Sequence, residues 1–445
     1  MASSASAAAG TSRHSDDVIL VTGARLRPSR GERLAVSESG LTDISIVDGR
    51  IVDITPAATG ATVATESRAA RDPGSDAGLP GDAPVVIDAA GGLVTESFVN
   101  GHLHLCKVNT LSMLGDGALA QYHGEGMGGA MTAIELASAV KSEYRVDRLL
   151  PGIRAALDQA VRFGTSHIRA FADTDTTAGL EGVHAVMQAR DEYRDRVTVQ
   201  VVAFPQDGVI RDRGADQLIH QALRDGADVV GGIPWIELTD SDARSHITKM
   251  MDLAVEFDRD VSMLVDDAGD PGLRTLEELA LQTAARGWHG RVTAQHARAM
   301  SMYPTPYLLR LIALLKQARI GVISDPHTGP LHARIDELRA HGIPVGLGQD
   351  DIADAYYPFG RNNMAEVGFL AAHLLWKTQS DQLESIYDMI TTEAARVLGL
   401  EDHVMQPGAP ANLVVHRYQS VREILAHHEP PRAVIHSGRV VSRVE

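Results

Sequence analysis

Residues 93–105 read LVTESFVNGHLHL, an apolar run that ends on two histidines one residue apart. Side chains alternate between the faces of a strand, so His102 and His104 point to the same side. Outward from this stretch, short runs rich in Val, Ile and Ala recur near Thr165–Phe171, Val197–Phe204, Val229–Ile233, Val261–Val265, Val292–Ala294, Ile320–Ile323 and Val345–Leu347. With the first they number eight. Between them lie segments such as DRLLPGIRAALDQAVRF (147–163) and TPYLLRLIALLKQA (305–318), whose apolar residues fall at helical spacing. Strand–helix alternation implies parallel strands joined by right-handed crossovers. Eight such units predict an α/β fold, a (β/α)8 or TIM barrel, with an open doubly wound sheet as the competing arrangement.

The flanks read differently. VILVTGARL (18–26) and ISIVDGRIVDI (44–54) alternate apolar runs with turns, and Asp48-Gly49 is a hairpin signal. The other end returns to this character in ANLVVHRY (411–418) and RAVIHSGRVVSR (432–443). We expect one small β-sandwich domain built from residues 17–92 and 408–445, around a catalytic barrel at 93–407. Residues 55–83, rich in Ala, Gly, Asp and Pro, read as a mobile insertion, and residues 1–16 as a disordered leader.

The chain has 445 residues, 44% hydrophobic and 22% charged, an ordinary globular profile that excludes collagen-like and disordered classes. Its 41 Lys and Arg against 58 Asp and Glu give a net charge of −17, which repels nucleic acid and anionic lipid. No run of about 18 apolar residues suggests a membrane span. The one cysteine, Cys106, excludes an internal disulfide and suits a reducing compartment. The expectation is a cytoplasmic protein with no nucleic-acid or membrane partner.

In a barrel of this kind, chemistry sits at the C-terminal ends of the strands. The first ends in His102 and His104, and neutral imidazoles are good ligands for a divalent metal. Gln206 follows the third; it either reads an amide-like substrate edge or satisfies a turn. His296 follows the sixth, as a functional group or a hydrogen-bonded structural histidine. Asp350 and Asp351 follow the eighth, where paired acids cost Coulomb repulsion unless a cation offsets it or solvent screens it. Asp173 and Asp175 read as solvated, His327 as a loop histidine, and His289, His427 and His428 as surface residues. The glycine-rich run Tyr122–Gly129 lacks a phosphate-loop pattern and reads as a loop.

Together the strings VNGHLHL, VAFPQDG, GGIPWIELTD, VTAQHARAM and GLGQDDIADAYYPFGRNNM resemble the amidohydrolase superfamily, and within it the cytosine deaminase-like branch. The likeness runs from Val18 to Glu445, leaving out the 55–83 insertion. It implies one Fe²⁺ or Zn²⁺ held by His102, His104 and Asp350. His296 then orients the attacking water, Asp350 takes its proton, and Gln206 and Asp351 bind the edge of a small heterocyclic substrate. Trp235 stands where the family has a histidine, which makes that wall more apolar. The resemblance also implies a homo-oligomer.

One departure matters. The family carries H-x-D-E at the end of the fifth strand, a metal ligand and a proton shuttle. Here the string is Leu264-Val265-Asp266-Asp267. Leucine coordinates nothing, so the metal site is weakened or absent unless His296 or Cys106 closes the gap. Cys106 itself stands where an aspartate usually follows the two histidines. Asp267 is a methylene shorter than glutamate, and loss of a positioned general acid costs about 10²–10⁴ in rate. A substituent that leaves as an anion needs no such acid. The favoured expectation is therefore nitrite release from a nitroimidazole-like ring, as in nitroimidazole-hydrolysing members of the branch. The alternatives are a metal-dependent deaminase of a cytosine-like amino-heterocycle and a catalytically inactive binding protein.

Overall fold

The computed structural model describes residues 18–27, 40–57, 84–114, 138 and 140–444. The expected leader and the glycine-rich run at 122–129 lie outside the described residues, as does the insertion beyond Ala57 up to residue 83.

Strands β1 (Val18–Ala24), β2 (Thr42–Val47), β3 (Arg50–Pro56) and β4 (Val85–Asp88) form a sheet in the order β3-β2-β1-β4. The hairpin between β2 and β3 turns on Asp48 and Gly49, with φ of 49° and 79°, the double positive φ that the Asp-Gly pair favours. The chain then passes through β5 (Val94–Glu96) into eight strands: β6 (Phe98–Leu103), β7 (Thr165–Asp173), β8 (Thr198–Phe204), β9 (Val229–Gly232), β10 (Asp260–Val265), β11 (Val292–His296), β12 (Gly321–Ser324) and β13 (Val345–Leu347). Last come β14 (Leu413–Val415), β15 (Ala433–His436) and β16 (Arg439–Arg443), which pair with β5 in the order β16-β15-β14-β5. Ile19, Val21, Ile44 and Ile51 of the first sheet share one buried cluster with Val94, Leu413, Val415 and Ile435 of the second. That shared apolar layer is what holds the two chain ends together.

Each of the eight apolar runs is thus a strand, and neighbours pair in parallel from β6 to β13. The sheet closes rather than staying open. Asp350 N–H donates to His102 O at 2.9 Å, and His104 N–H donates to Asp350 O at 2.8 Å. The seam of this (β/α)8 barrel therefore runs through three of the residues singled out for chemistry. The helix Val146–Phe163 shows how the outer ring is built: it buries Leu149, Ile153, Leu157 and Ala160 and ends at Gly164, whose φ of 91° no side chain tolerates cheaply.

Candidate active site

At the mouth, His102 is fully buried, and its Nδ1 lies 3.0 Å from Gln295 Oε1. Gln295 Nε2 donates to Ser262 Oγ at 2.8 Å, which aims its oxygen at the ring. Nδ1 therefore carries the proton, and Nε2 faces Asp350 Oδ1 at 3.2 Å without a hydrogen bond. His104 Nε2 is 3.7 Å and His296 Nε2 3.8 Å from that same oxygen. Burial lowers all three histidines, so each imidazole is neutral and offers a lone pair. Asp350 Oδ1 is thus ringed by imidazole nitrogens from two strands. His296, Ala297 and Asp350 have φ of 64°, 49° and 61°, left-handed backbone that the surrounding packing must hold in place.

Ligand atoms of His102, His296 and Asp350 lie within 4.8 Å of one another, and so do those of His104, Asp350 and Asp351. Donors bound at ~2.0–2.1 Å in a tetrahedron stand roughly 3.3–3.5 Å apart, close to the separations here. The residues fit a divalent ion. Cys106 does not take part: its Sγ accepts from Asp173 N–H at 3.3 Å, and burial pushes the thiol up, away from thiolate. Of the two residues the sequence offers to close the gap in the ligand set, Cys106 is thus a structural thiol.

The wall beside these groups is apolar. Leu264, 4% exposed, packs with Phe171, Phe204, Ile233 and Ile236, and Trp235 and Tyr356 cover the cluster. Trp235 Nε1 is buried without a hydrogen-bond partner. Of the acid pair at the end of β10, Asp266 is structural. It accepts from Thr275 and Leu276 N–H, at 2.7 and 3.2 Å, and from Tyr303 Oη. Asp267 faces the site, with Oδ1 3.3 Å from Arg298 Nε. Burial raises Asp267, while Arg298 pulls the other way.

On the opposite side, Gln206 Oε1 accepts from Lys107 Nζ at 2.7 Å, so the amide presents its N–H groups to the pocket. Lys107 lies 3.6 Å from Asp173 and over the Tyr356 ring. Burial and the neighbouring Asp350 charge raise Asp351 well above an ordinary carboxylate. Asp173 and Asp175 are buried, not solvated: Lys141 Nζ sits 2.8 Å from Asp175. The apolar surroundings admit these carboxylates because each meets a lysine. His327 is also buried, its Nε2 3.1 Å from Gln349 O.

Three buried residues at the site escaped the sequence reading. Arg298 follows His296 by two positions; its Nη2 meets Thr328 Oγ1 at 2.8 Å and Asp350 Oδ2 at 3.2 Å. Asp350 is thereby split, one oxygen to the imidazoles and one to the guanidinium. Asp325, directly after β12, is 2% exposed, and neither carboxylate oxygen has a hydrogen-bond partner. Lys107, which orients Gln206, is the third. The signal for Arg298 and Asp325 was their place at strand ends. Gly348 makes room for this crowding, since a Cβ there would lie 2.5 Å from Asp325 Oδ1 and 2.6 Å from His102 Cβ.

A closed barrel with imidazoles and carboxylates converging at its mouth defines a hydrolase of the metal-assisted type. The model of the Amidohydrolase family matches residues 85–442, and the chain belongs to that family, as a cytosine deaminase-like member of the superfamily. N-isopropylammelide isopropyl amidohydrolase of Pseudomonas sp. (strain ADP) is 29% identical over 373 residues, 83% of this chain and 91% of that protein. Pterin deaminase of Rhizobium rhizogenes (strain K84) is 24% identical over 429 residues, 92% of this chain and 90% of that protein. The crystal structure of 5-methylcytosine deaminase from Klebsiella pneumoniae with 5-fluorocytosine superposes with a TM-score of 0.81 at 28% identity, covering 96% of this chain and 98% of that one. The protein is an enzyme, and the reading as an inactive binding protein falls. Among the described residues, no helix is long and apolar enough to cross a membrane.

Proposed function

We propose that this enzyme adds water to a small electron-poor N-heteroaromatic ring and displaces a substituent that leaves as an anion, with nitrite release from a nitroimidazole-like substrate as the favoured case. The observation that carries the reading is the buried Arg298 guanidinium, 3.3 Å from Asp267 at the position where the family keeps its proton shuttle. A planar guanidinium binds a planar oxyanion through two parallel hydrogen bonds and repels a departing cation.

A divalent metal, Fe²⁺ or Zn²⁺, held by His102, His104 and Asp350, supplies Lewis-acid activation of the attacking water. The chain's own groups do the rest. Gln206 N–H and Asp351 hold the ring edge, while Leu264 and Trp235 shield its face. Asp350 accepts the proton of the water as its oxygen bonds to the substituted ring carbon. Gln206 and His296 stabilise the charge that builds on the ring nitrogens. The C–N bond to the nitro group then breaks, its electron pair leaves with nitrite, and Arg298 receives the anion. The ring departs as the hydroxy or oxo heterocycle.

A second reading, deamination, is favoured by one observation: burial raises Asp267, which shifts its carboxyl toward the proton-carrying form that a departing amine needs. The relatives' names point the same way. Incubation with matched nitro- and amino-substituted imidazoles and pyrimidines, with nitrite and ammonia assayed together, separates the two. Nitrite is expected; ammonia alone overturns the anion reading in favour of deamination. The proposal includes a cytoplasmic homo-oligomer with no nucleic-acid or membrane partner, which sedimentation and cell fractionation test.

A further inference from the structure

We propose that His296 is itself a metal ligand in this protein, taking the place that Leu264 vacates, and that Asp325 is the positioning residue that makes it one. The inference rests on the metal-dependent reading of the site; it gives His296 a different role from the one its family likeness implies, and leaves the charge on the ring nitrogens to Gln206.

Two histidines of the site are held in parallel fashion. His102 is locked by an oxygen on one side: Gln295 Oε1 lies 3.0 Å from its Nδ1, and its Nε2 faces Asp350 Oδ1 at 3.2 Å. His296 repeats the arrangement from another strand. Asp325 Oδ2 lies 3.1 Å from its Nδ1, and its Nε2 faces the same Asp350 Oδ1 at 3.8 Å. The two rings stand edge to face, with centroids 4.7 Å apart. Metal-bound histidines regularly give their second N–H to a carboxylate or carbonyl, which fixes the tautomer and strengthens the donor. Here Asp325 has no hydrogen-bond partner, and a small rotation of the His296 ring supplies one.

Two further observations bear on it. Leu264, one residue before the end of β10, belongs to the apolar wall, so the fifth strand gives the ion nothing. His102, His296 and Asp350 already form a group with ligand atoms within 4.8 Å of one another, before any ion draws them together. One contact competes. Arg298 Nη2 donates to His296 Nδ1 at 3.4 Å, a hydrogen bond that leaves the proton on Nε2 with the ring as it stands. The Asp325 carboxylate is closer, at 3.1 Å, and once the ring turns toward it a charge-assisted N–H donation to Oδ2 replaces the longer bond and moves the proton to Nδ1. Arg298 is occupied at 2.8 Å by Thr328.

The test measures metal, not turnover. Purified full-length protein is reconstituted with Zn²⁺ or Co²⁺, and its affinity is read by chelator competition with elemental analysis. We expect one ion per chain. His296→Gln should lose about 100-fold or more in affinity and Asp325→Asn about 10–100-fold. Adding Leu264→His to His296→Gln should restore binding, which a merely misfolded variant would not do. The Co²⁺ spectrum should shift in Asp325→Asn. Wild-type affinity in His296→Gln, or no ion in the reconstituted wild type, overturns the proposal. Failure of the functional reading is told apart by the product assay: ammonia from a wild type whose metal depends on His296 sinks only the anion reading, and nitrite from an enzyme whose metal ignores His296 sinks only this one.

Discussion

The barrel has a histidine cluster at each end, and only one of them is a site. At the mouth, His102, His104 and His296 surround Asp350, and Asp325 stands behind His296. At the base, His167 near the start of β7 packs edge to face against His403 and His436, with centroids 5.2 and 5.8 Å away. The mouth set is buried, as are His403 and His436, with His167 half-buried, and burial lowers every one of these imidazoles toward the neutral form. The base histidines, however, face Ser166 Oγ at 2.7 Å, Ser97 O at 2.8 Å and Thr198 Oγ1 at 3.5 Å. The pair of groups able to hold an ion among the described residues both lie at the mouth. Imidazoles alone make a polar piece of core; imidazoles around a carboxylate make a place for a cation and for a proton. Position along the strands decides which one arises, because the loops that supply carboxylates follow the C-terminal ends.

The sharpest way to break this contrast is to remove the carboxylate. Asp350→Asn should lower kcat/KM by about 10³-fold or more, since it takes away both a ligand and the proton acceptor. His167→Asn at the base should leave kcat/KM within about 2-fold while costing about 1–3 kcal/mol of stability, the usual range for disturbing a buried polar contact. Steady-state kinetics beside urea unfolding reads both. Equal kinetic losses in the two variants would end the distinction.

Arg298 sharpens it next. Arg298→Met should reduce nitrite release by about 10²–10³-fold, as loss of one preorganised donor to a developing anion does. Arg298→Lys should recover little of this, because a point charge lacks the two-pronged geometry. Turnover of an amino-substituted ring should fall less or even rise, since Asp267 is freed from its partner. An Arg298→Met enzyme with unchanged nitrite release would remove the leading support for an anionic leaving group.

The same two regions show what a sequence can and cannot reveal. The eight strands, the closed barrel, the two-histidine string and the Asp350-Asp351 step were legible, because periodicity and strand ends are local properties. Leu264 and Asp267 were legible as departures from a family pattern. Arg298 was not, because it follows a left-handed turn at His296 and Ala297 that carries it back over the mouth. An arginine in a loop otherwise reads as solvated. Asp325 directly follows β12, before Pro326, and reads as a turn acid until the strand is placed beside β11. Asp173 and Asp175 read as solvated in the sequence for want of their lysines, one of which, Lys141, lies more than thirty residues upstream. Burial is a property of pairs of segments, and single strings do not contain it.

Acid tests the base cluster at a smaller scale. Burial lowers His436 from 6.5 to about 4, and lowers His167 and His403 as well. Arg439 and the neighbouring histidines reinforce this, while Asp195 and Glu96 oppose it. The unfolded chain takes up a proton near pH 6.5 and the folded chain only near 4, so stability is full above 6.5 and falls across that window. His436 alone accounts for at most about 3 kcal/mol of loss. Urea midpoints at pH 7 and 5 should differ more in the wild type than in His436→Gln. An identical pH slope in the two would show that this histidine is not buried uncharged.

The smallest effect belongs to the residue whose chemistry looks most provocative. Cys106 follows the two mouth histidines almost directly, and a thiolate there would be a strong ligand. Yet its sulfur accepts from the Asp173 backbone, belongs to neither group able to hold an ion, and sits on a Cβ 3.3 Å from where a Cβ on Gly182 would stand. Serine fits that space and accepts the same hydrogen bond, so Cys106→Ser should keep metal stoichiometry and leave kcat/KM within about 2-fold. The exchange of a buried sulfur for a hydroxyl should cost about 1–2 kcal/mol in unfolding free energy. Loss of the metal in this variant would return the thiol to the ligand set and undo the case for His296. A stable, metal-loaded and active serine enzyme leaves the cation to the imidazoles and Asp350, and leaves Cys106 to the core.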